Sequence, residues 1–395
     1  MVSVSEATSL IGQHLFKAEK ERIKIEMLEG RILAEAIKAD RDFPPFDRVA
    51  MDGIAIQYQS FEEGWREFKV ENLQAAGQPR TTLKDVHNCI EVMTGAMLPI
   101  GCDTVIRYED VAIFNKLAKV KVESISKGQS IHLRSSDAKR GDTILAPGHV
   151  LSPAEIALLA SVGKSDAEVL AFPPTAIVST GNELVDIHDS PQPHQIRRSN
   201  SYAIRTALHT MGCHPALFHL QDERNALVTE LTKIMASHQV IILSGGVSKG
   251  KFDLIPAALE SLGVKKVFHE VSQKPGKPFW FGVTKKHAVF AFPGNPVSTF
   301  LCFYRYFLPW LAKSMGITIP SSSAILAGDF SFNLDLTYFL QVKINNEGGR
   351  LMATPFEGGG SGDFANLKDA DGFIELPADK NSFKAGEAFP FIPYR

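Results

Sequence analysis

Cysteine is scarce in this sequence. Cys89, Cys102, Cys213 and Cys302 are scattered through 395 positions at no spacing that a metal ion could use. That argues against a disulfide scaffold or a cysteine zinc site and points to buried thiols in a reducing compartment. The 12 histidines form no HExxH or related pattern, so structural zinc is not expected either. Charge of one sign is also lacking: 42 basic residues against 44 acidic ones leave a net charge of -2. Such balance argues against a general nucleic-acid or membrane-surface role. The densest apolar run, Phe300 to Leu311, is broken by Arg305 and is too short to span a bilayer. The opening residues MVSVSEATSL lack the charged-then-apolar pattern of a secretory signal. A soluble, cytoplasmic protein is expected, with room in its length for two to four domains.

What is present reads as a mixture of textures. Ser3 and Glu6 have capping-box spacing ahead of Ala7, Leu10, Ile11 and Leu15, which predicts an opening amphipathic helix. Leu28, Ile32, Leu33, Ala36 and Ile37 predict a second helix that stops before Pro44-Pro45. In FDRVAMDGIAI, Asp52-Gly53 between short apolar segments predicts a hairpin turn. Residues 57–139 then alternate, as at Val120 and Val122 among Lys119, Lys121 and Glu123, and predict a small, mostly β domain. Ser152, Pro153 and Glu155 announce a helix ahead of Ile156, Leu158 and Leu159.

From about Thr175 to Gly316 strands alternate with helices, the signature of a parallel α/β domain whose ligands sit at the C-terminal strand ends. Its centre is QVIILSGGVSKGKFD, residues 239–253: an apolar strand, a glycine-rich loop, then Asp253 as a possible N-cap before a helical pattern. Strand, glycine loop and helix N-terminus make a phosphate-binding arrangement. Gly245, Gly250 and Lys251 fit a P-loop, but Phe252 stands where that motif needs a hydroxyl for magnesium. An ordinary turn with an Asp cap remains the other reading of this stretch. Glu183, Asp222 and Asp253 each follow a predicted strand end, so the three can meet at one rim and share a cation beside phosphate. The turn KPGKP, residues 274–278, places Lys274 and Lys277 at the two ends of a predicted type II turn, close enough to embrace an oxyanion. Segment 321–395 carries strand signals at Phe339 to Ile344 and Gly372 to Leu376 and predicts a small β domain. Within it GGGSGDF, residues 358–364, is a flexible loop or an anion contact offering the Ser361 hydroxyl.

Taken together, FPPFDRVAMDGIAI, MTGAMLPIGCDTVI, STGNEL, RSNSYAIRTAL, SGGVSKGKFD, KPGKPFWFG, FPGNPVS and GSGDFANLKDADGFIELP, in that order, resemble the molybdopterin molybdenumtransferases. The C-terminal domain of gephyrin belongs to the same family. The resemblance spans nearly the whole chain and implies a multidomain fold of α/β and β parts. An elongated discontinuous linker domain would occupy residues 1–45 and 140–170, and a β-rich domain residues 46–139. A pterin-binding α/β domain would follow at 171–318, and a C-terminal β-barrel at 319–395. It also implies a homodimer whose active sites are shared between subunits. The implied reaction takes adenylylated molybdopterin and molybdate, cleaves the pyrophosphate bond with Mg²⁺, and yields molybdenum cofactor and AMP.

Carried over motif by motif, the resemblance gives each site residue a role. Glu183, Asp222 and Asp253 would gather around Mg²⁺. Asp52 with Thr94 would be contributed across the dimer, and Asp137 would be a further acid of that cleft. Gly245, Gly246, Val247 and Ser248 would cradle the pterin phosphates, with Pro293, Gly294, Asn295 and Pro296 as the floor. Lys274, Lys277 and Ser361 would hold molybdate. An upstream adenylyltransferase and acceptor molybdoenzymes would be partners. Three departures stand out: Asn182 where many relatives carry aspartate, charged Lys249 and Lys251 in the loop, and no arginine directly after Tyr338. Two rival readings are the related molybdopterin adenylyltransferase, which normally lacks the extra segments, and a non-catalytic scaffold on the same fold.

Overall fold

The computed structural model describes residues 1–247, 254–333, 335–356 and 364–395. The chain forms two compact units. One comprises Met1–Ala34, Val150–Ser152 and Asp166–Arg395; the other comprises Glu35–His149 and Pro153–Ser165.

The larger unit is built on a six-stranded sheet. Ala216–Leu220, Thr175–Thr180, Val240–Ser244 and Ala288–Phe292 lie side by side and parallel. Trp280–Val283 and Lys265–His269 extend the sheet antiparallel, so the sheet is mixed beyond its parallel core. The inner strands are apolar on both faces, as buried parallel strands must be: Ala176, Ile177, Val178 and Ile241 to Leu243 are sealed from solvent. Helices Asn200–His209, Arg224–Ser237 and Ile255–Ser261 follow in the expected places, and Gly263 ends the last in a left-handed conformation. The long helix expected after Asn295-Pro296 runs Pro296–Cys302, passes through a π-helical turn at Phe303–Phe307 and continues over Leu308–Ser314.

Beyond it five strands close on themselves. Thr337–Glu347 pairs with Arg350–Pro355 and Gly372–Leu376, and Ser322–Leu326 and Ala388–Pro393 complete the ring. This closed barrel removes the exposed edges that an open sheet would leave. The short strand Gln273–Lys274 pairs in parallel with Thr337–Tyr338 and ties the KPGKP turn to the barrel.

The smaller unit has a second six-stranded sheet, formed by Thr104–Arg107, Gly53–Ile56, Asn88–Val92, Glu67–Gln74, Leu117–Val120 and Val111–Phe114 in that order. Separate apolar clusters cover its two faces, one around Phe68 and Ile106, the other around Val49 and Val105.

Two expectations are corrected. The opening helix forms over Val4–Gly12 with its capping box intact: Ser3 Oγ accepts from Glu6 N at 3.2 Å and Ser3 N donates to Glu6 Oε2 at 2.7 Å. The second helix does not form. Leu28, Ile32, Leu33 and Ile37 are buried, but Leu28 ends a short 3-10 turn and the rest run extended: Ile32 bridges Val150, Leu33 bridges Val169, and Ile37 pairs with Leu145. Gly30, left-handed at φ +74°, interrupts the helical spacing, and distant chain supplies the hydrogen bonds that a helix would have made locally. The Asp52-Gly53 hairpin turn is absent as well. Gly53 begins a central strand flanked by Asn88–Val92 and Thr104–Arg107, while Arg48–Val49 pairs elsewhere, with Ile131–His132. Glycine is needed there for approach and not for turning: a Cβ on Gly53 would lie 1.9 Å from Ile106 O.

Candidate functional site

In the larger unit the parallel strands end together, and their C-terminal loops surround a cavity of about 1000 Å³. Glu183, Asp222, Gly245, Gly246 and Val247 line it, with the loop Pro293–Pro296 closing another side. Of the expected rim residues, Ser248 and Asp253 lie outside the described residues, as do Lys249 and Lys251 of the same loop. The convergence of strand ends thus brings Glu183 and Asp222 to one mouth. Among the described residues no three histidine, cysteine or acidic side chains are grouped closely enough to hold a metal ion by themselves.

Several contacts fix this rim. Gly245 and Gly246 take φ +105° and +69°, and a Cβ would meet Thr180 O at 2.6 Å from the first and Ile255 Cγ1 at 2.7 Å from the second. The Thr180 hydroxyl beside them is buried with no hydrogen-bond partner among the described residues. Asn200 Nδ2 donates to Ser244 Oγ at 2.9 Å and Gly294 O at 2.8 Å, and so clamps the glycine loop's strand to the proline loop. His219 reaches Gly181 O and His269 reaches Val247 O, each at 3.0 Å. Asn182, the departure from the expected aspartate, uses its Oδ1 to accept from Asp222 N at 3.0 Å. That side chain positions the Asp222 loop. Arg198 also lines the cavity and is ion-paired to Asp186. Asn200 and Arg198 both lie in RSNSYAIRTAL, where the spacing suggests for Asn200 only a helix cap, a place that Ser199 takes instead.

A second cavity of about 320 Å³ adjoins the first, sharing Pro278, Pro293 and Asn295 with it. Lys274 and Lys277, both exposed, line it together with Tyr338 and Gln341 of the barrel. Gly276 takes φ +85°, the sign a type II turn requires, and the peptide bond before Pro275 is cis. The turn is held from beneath by Gln273, which is fully buried and donates from Nε2 to Pro275 O at 3.1 Å and Gly276 O at 3.3 Å. Gln273 Oε1 accepts in turn from the buried Tyr306 hydroxyl. Lys274 Nζ lies 5.4 Å from the centre of the Phe332 ring, a cation–π distance. Ser361, the other expected anion ligand, lies outside the described residues.

Asp52, Thr94 and Asp137 belong to the smaller unit. Asp52 Oδ1 accepts from Thr94 Oγ1 at 2.7 Å and from Thr94 N at 2.6 Å. These bonds, the hydroxyl's first, hold the Asp52 carboxyl below the usual carboxylate range. Asp137 takes part in a relay. Arg48 donates to His132 Nδ1 at 3.0 Å, leaving Nε2 as the protonated nitrogen that donates to Asp137 Oδ1 at 2.7 Å. The His132 bond is the main reason that the Asp137 carboxyl is held low. Neither His132 nor Arg48 carries a sequence signal that would have singled it out.

Known proteins share this architecture along its whole length. A model of the MoeA N-terminal region (domains I and II) matches residues 2–163, one of a probable molybdopterin binding domain matches residues 176–313, and one of the MoeA C-terminal region (domain IV) matches residues 323–394. A molybdopterin molybdenumtransferase of Synechocystis sp. is 41% identical over the full length of both chains. One from Bacillus subtilis is 29% identical, covering 100% of this chain and 94% of its own. Among solved structures, a molybdopterin biosynthesis MoeA protein from Pyrococcus horikoshii OT3 superposes with a TM-score of 0.82 at 26% identity over the whole of both chains. The chain belongs to the molybdopterin molybdenumtransferase family of enzymes.

Proposed function

We propose that this protein inserts molybdenum from molybdate into adenylylated molybdopterin, cleaving the pyrophosphate bond with Mg²⁺ and releasing AMP. The observation that carries this reading is the shared wall of the two cavities, formed by Pro278, Pro293 and Asn295. The larger cavity has the acids, glycine amides and Arg198 that a pterin diphosphate needs; the smaller has the paired lysines that a tetrahedral dianion needs. Holding both substrates across one wall turns a two-substrate encounter into a step within a single cleft.

The donor chemistry of the rim suits Mg²⁺. This ion takes hard oxygen ligands and is commonly bound through one or two carboxylates together with water and substrate phosphate. Glu183 and Asp222 are the described carboxylates that would hold it, with Asp253 a third by its place in the sequence. Bound there, Mg²⁺ supplies charge neutralisation on the anhydride oxygens. The glycine-loop amides around Gly245 and Gly246 are fixed by their packing, so they stabilise developing phosphate charge without reorganising. Lys274 and Lys277 bind molybdate from the firm base that Gln273 provides. In a homodimer, Asp52 and Asp137 of one subunit complete the cleft of the other, and Asp52, ionised and oriented by Thr94, positions or deprotonates a water or thiol. The protein would act in the cytoplasm, receiving its substrate from an adenylyltransferase and passing its product to molybdoenzymes.

The test is a turnover assay with adenylylated molybdopterin, molybdate and Mg²⁺. AMP release should require all three and stop on chelation. It should fall at least about a hundredfold in Asp52→Asn, the loss typical of removing a general base. Substrate binding without AMP release in the unaltered protein would overturn the reading in favour of a scaffold.

A further inference from the structure

Gln341 borders the smaller cavity, yet nothing in the reading above gives it work. Its backbone belongs to the barrel, paired with Phe373 opposite. Its side chain is 8% exposed, and its Nε2 is buried with no hydrogen-bond partner among the described residues. A buried amide nitrogen without an acceptor costs stability, so a Gln kept at such a position needs a reason. The other glutamine of this cavity has one: Gln273 spends its amide on Pro275 and Gly276. Among the described residues no aspartate or glutamate lines the cavity. Lys274 and Lys277 line the same cavity; they attract an anion and cannot accept a hydrogen bond from the amide.

We propose that Gln341 is a specificity-determining ligand of the oxyanion in this cavity, a neutral directional donor in the same lining as two cationic ones. The proposal rests on the reading of Lys274 and Lys277 as the molybdate site. Because no described residue holds Nε2, turning the amide toward the lumen forfeits no bond among them. Two lysines attract any dianion alike, whereas a directional amide donor on a barrel strand rewards an oxygen at one position and thereby measures size. The sequence lacks an arginine directly after Tyr338, and Gln341 supplies an uncharged donor from the same strand.

The experiment compares the full-length protein with Gln341→Leu, Gln341→Glu and Lys274→Ala, using molybdate alone as the probe. Isothermal titration gives its affinity, and thermal unfolding is followed with and without it. Gln341→Leu should unfold without molybdate at the same temperature as the parent or higher, since it removes an unpartnered buried donor. Its molybdate Kd should nonetheless rise roughly tenfold or more, the usual loss for a hydrogen bond to a charged group. Gln341→Glu should abolish binding, because a carboxylate then faces the anion. Gln341→Leu binding molybdate within twofold of the parent, while Lys274→Ala loses it, would overturn the role of Gln341 and leave the lysine site standing. A marked drop in the unfolding temperature of Gln341→Leu without molybdate would also overturn it, marking a structural residue. A parent protein that binds no molybdate would remove the lysine site itself.

Discussion

Asp52 shows how a single exposed carboxylate is prepared for chemistry. It sits beside the strand opened by Gly53, and one Thr94 residue supplies it with both a hydroxyl and an amide donor. Both bonds favour the charged form, so the folded-state pKa is depressed and the group stays ionised as pH falls past the usual carboxylate range. Whatever this pairing adds to stability is present above the ordinary pKa and is lost as pH drops through the folded one. Thr94→Val removes the first of the two donors and leaves the amide. The Asp52 pKa should therefore move up, part of the way to its ordinary value, and the acid limb of kcat/KM should move to higher pH with it. A carbon-detected NMR titration of the Asp52 carboxyl checks the shift apart from activity. An unmoved midpoint would mean that the hydroxyl bond does not set the charge of this group. Asp137 is held low by a different donor, His132, whose orientation depends on Arg48. An Arg48→Ala change should therefore raise the Asp137 pKa without touching Asp137.

The KPGKP turn is an element whose function depends on a residue beneath it. Gln273 satisfies both carbonyls of the turn with one amide and receives the Tyr306 hydroxyl with its oxygen. Gln273→Leu would strand these buried groups, at a cost of about 1–3 kcal/mol for each polar group left unsatisfied. We expect a clearly lowered unfolding midpoint in denaturant and, from loosened lysines, weaker molybdate binding; an unchanged midpoint would show the turn to be self-supporting. At the same scale lies the boundary of what the sequence revealed. Elements whose determinants are local were readable: the Ser3–Glu6 capping box, the apolar core strands, and the glycine-rich loop after Val240–Ser244. The extended path through Ile32 to Ile37 was not, because its bridges are to residues more than a hundred positions away. Glu183 and Asp222 could be placed at one mouth because strand ends are local features and parallel strands end on the same side. The clamp by Asn200, the support by Gln273 and the relay through His132 could not, since polar partners brought together only by the fold leave no periodic trace.

At the scale of the molecule, the two units bury their apolar side chains in separate clusters. One is centred on Phe279, Phe290 and Phe307, with further clusters under the outer sheet face and inside the barrel; the other unit has its own pair around Phe68 and Val105. Each therefore has the apolar burial that a cooperative folding unit requires. The chain crosses from one unit to the other four times, at residues 34/35, 149/150, 152/153 and 165/166, so neither is a simple terminal piece. Thermal unfolding should then depart from a single two-state transition, with a calorimetric enthalpy larger than the van't Hoff enthalpy. Tryptophan fluorescence can tell the units apart: Trp65 is exposed in the smaller unit, whereas Trp280 and Trp310 are buried in the larger. In Trp65→Phe the remaining signal reports the larger unit alone, and its midpoint should differ from that of circular dichroism, which reports both. Gly53→Ala provides the matching perturbation. The Cβ clash with Ile106 O costs on the order of 1–3 kcal/mol of strain within the smaller unit. If the units unfold separately, Gly53→Ala will lower the circular-dichroism midpoint while the Trp280 and Trp310 signal stays in place. If both signals fall together, the four crossings have fused the units into one cooperative body, and a change at Asp52 or Gly53 would be felt at the strand-end rim through the stability of the whole.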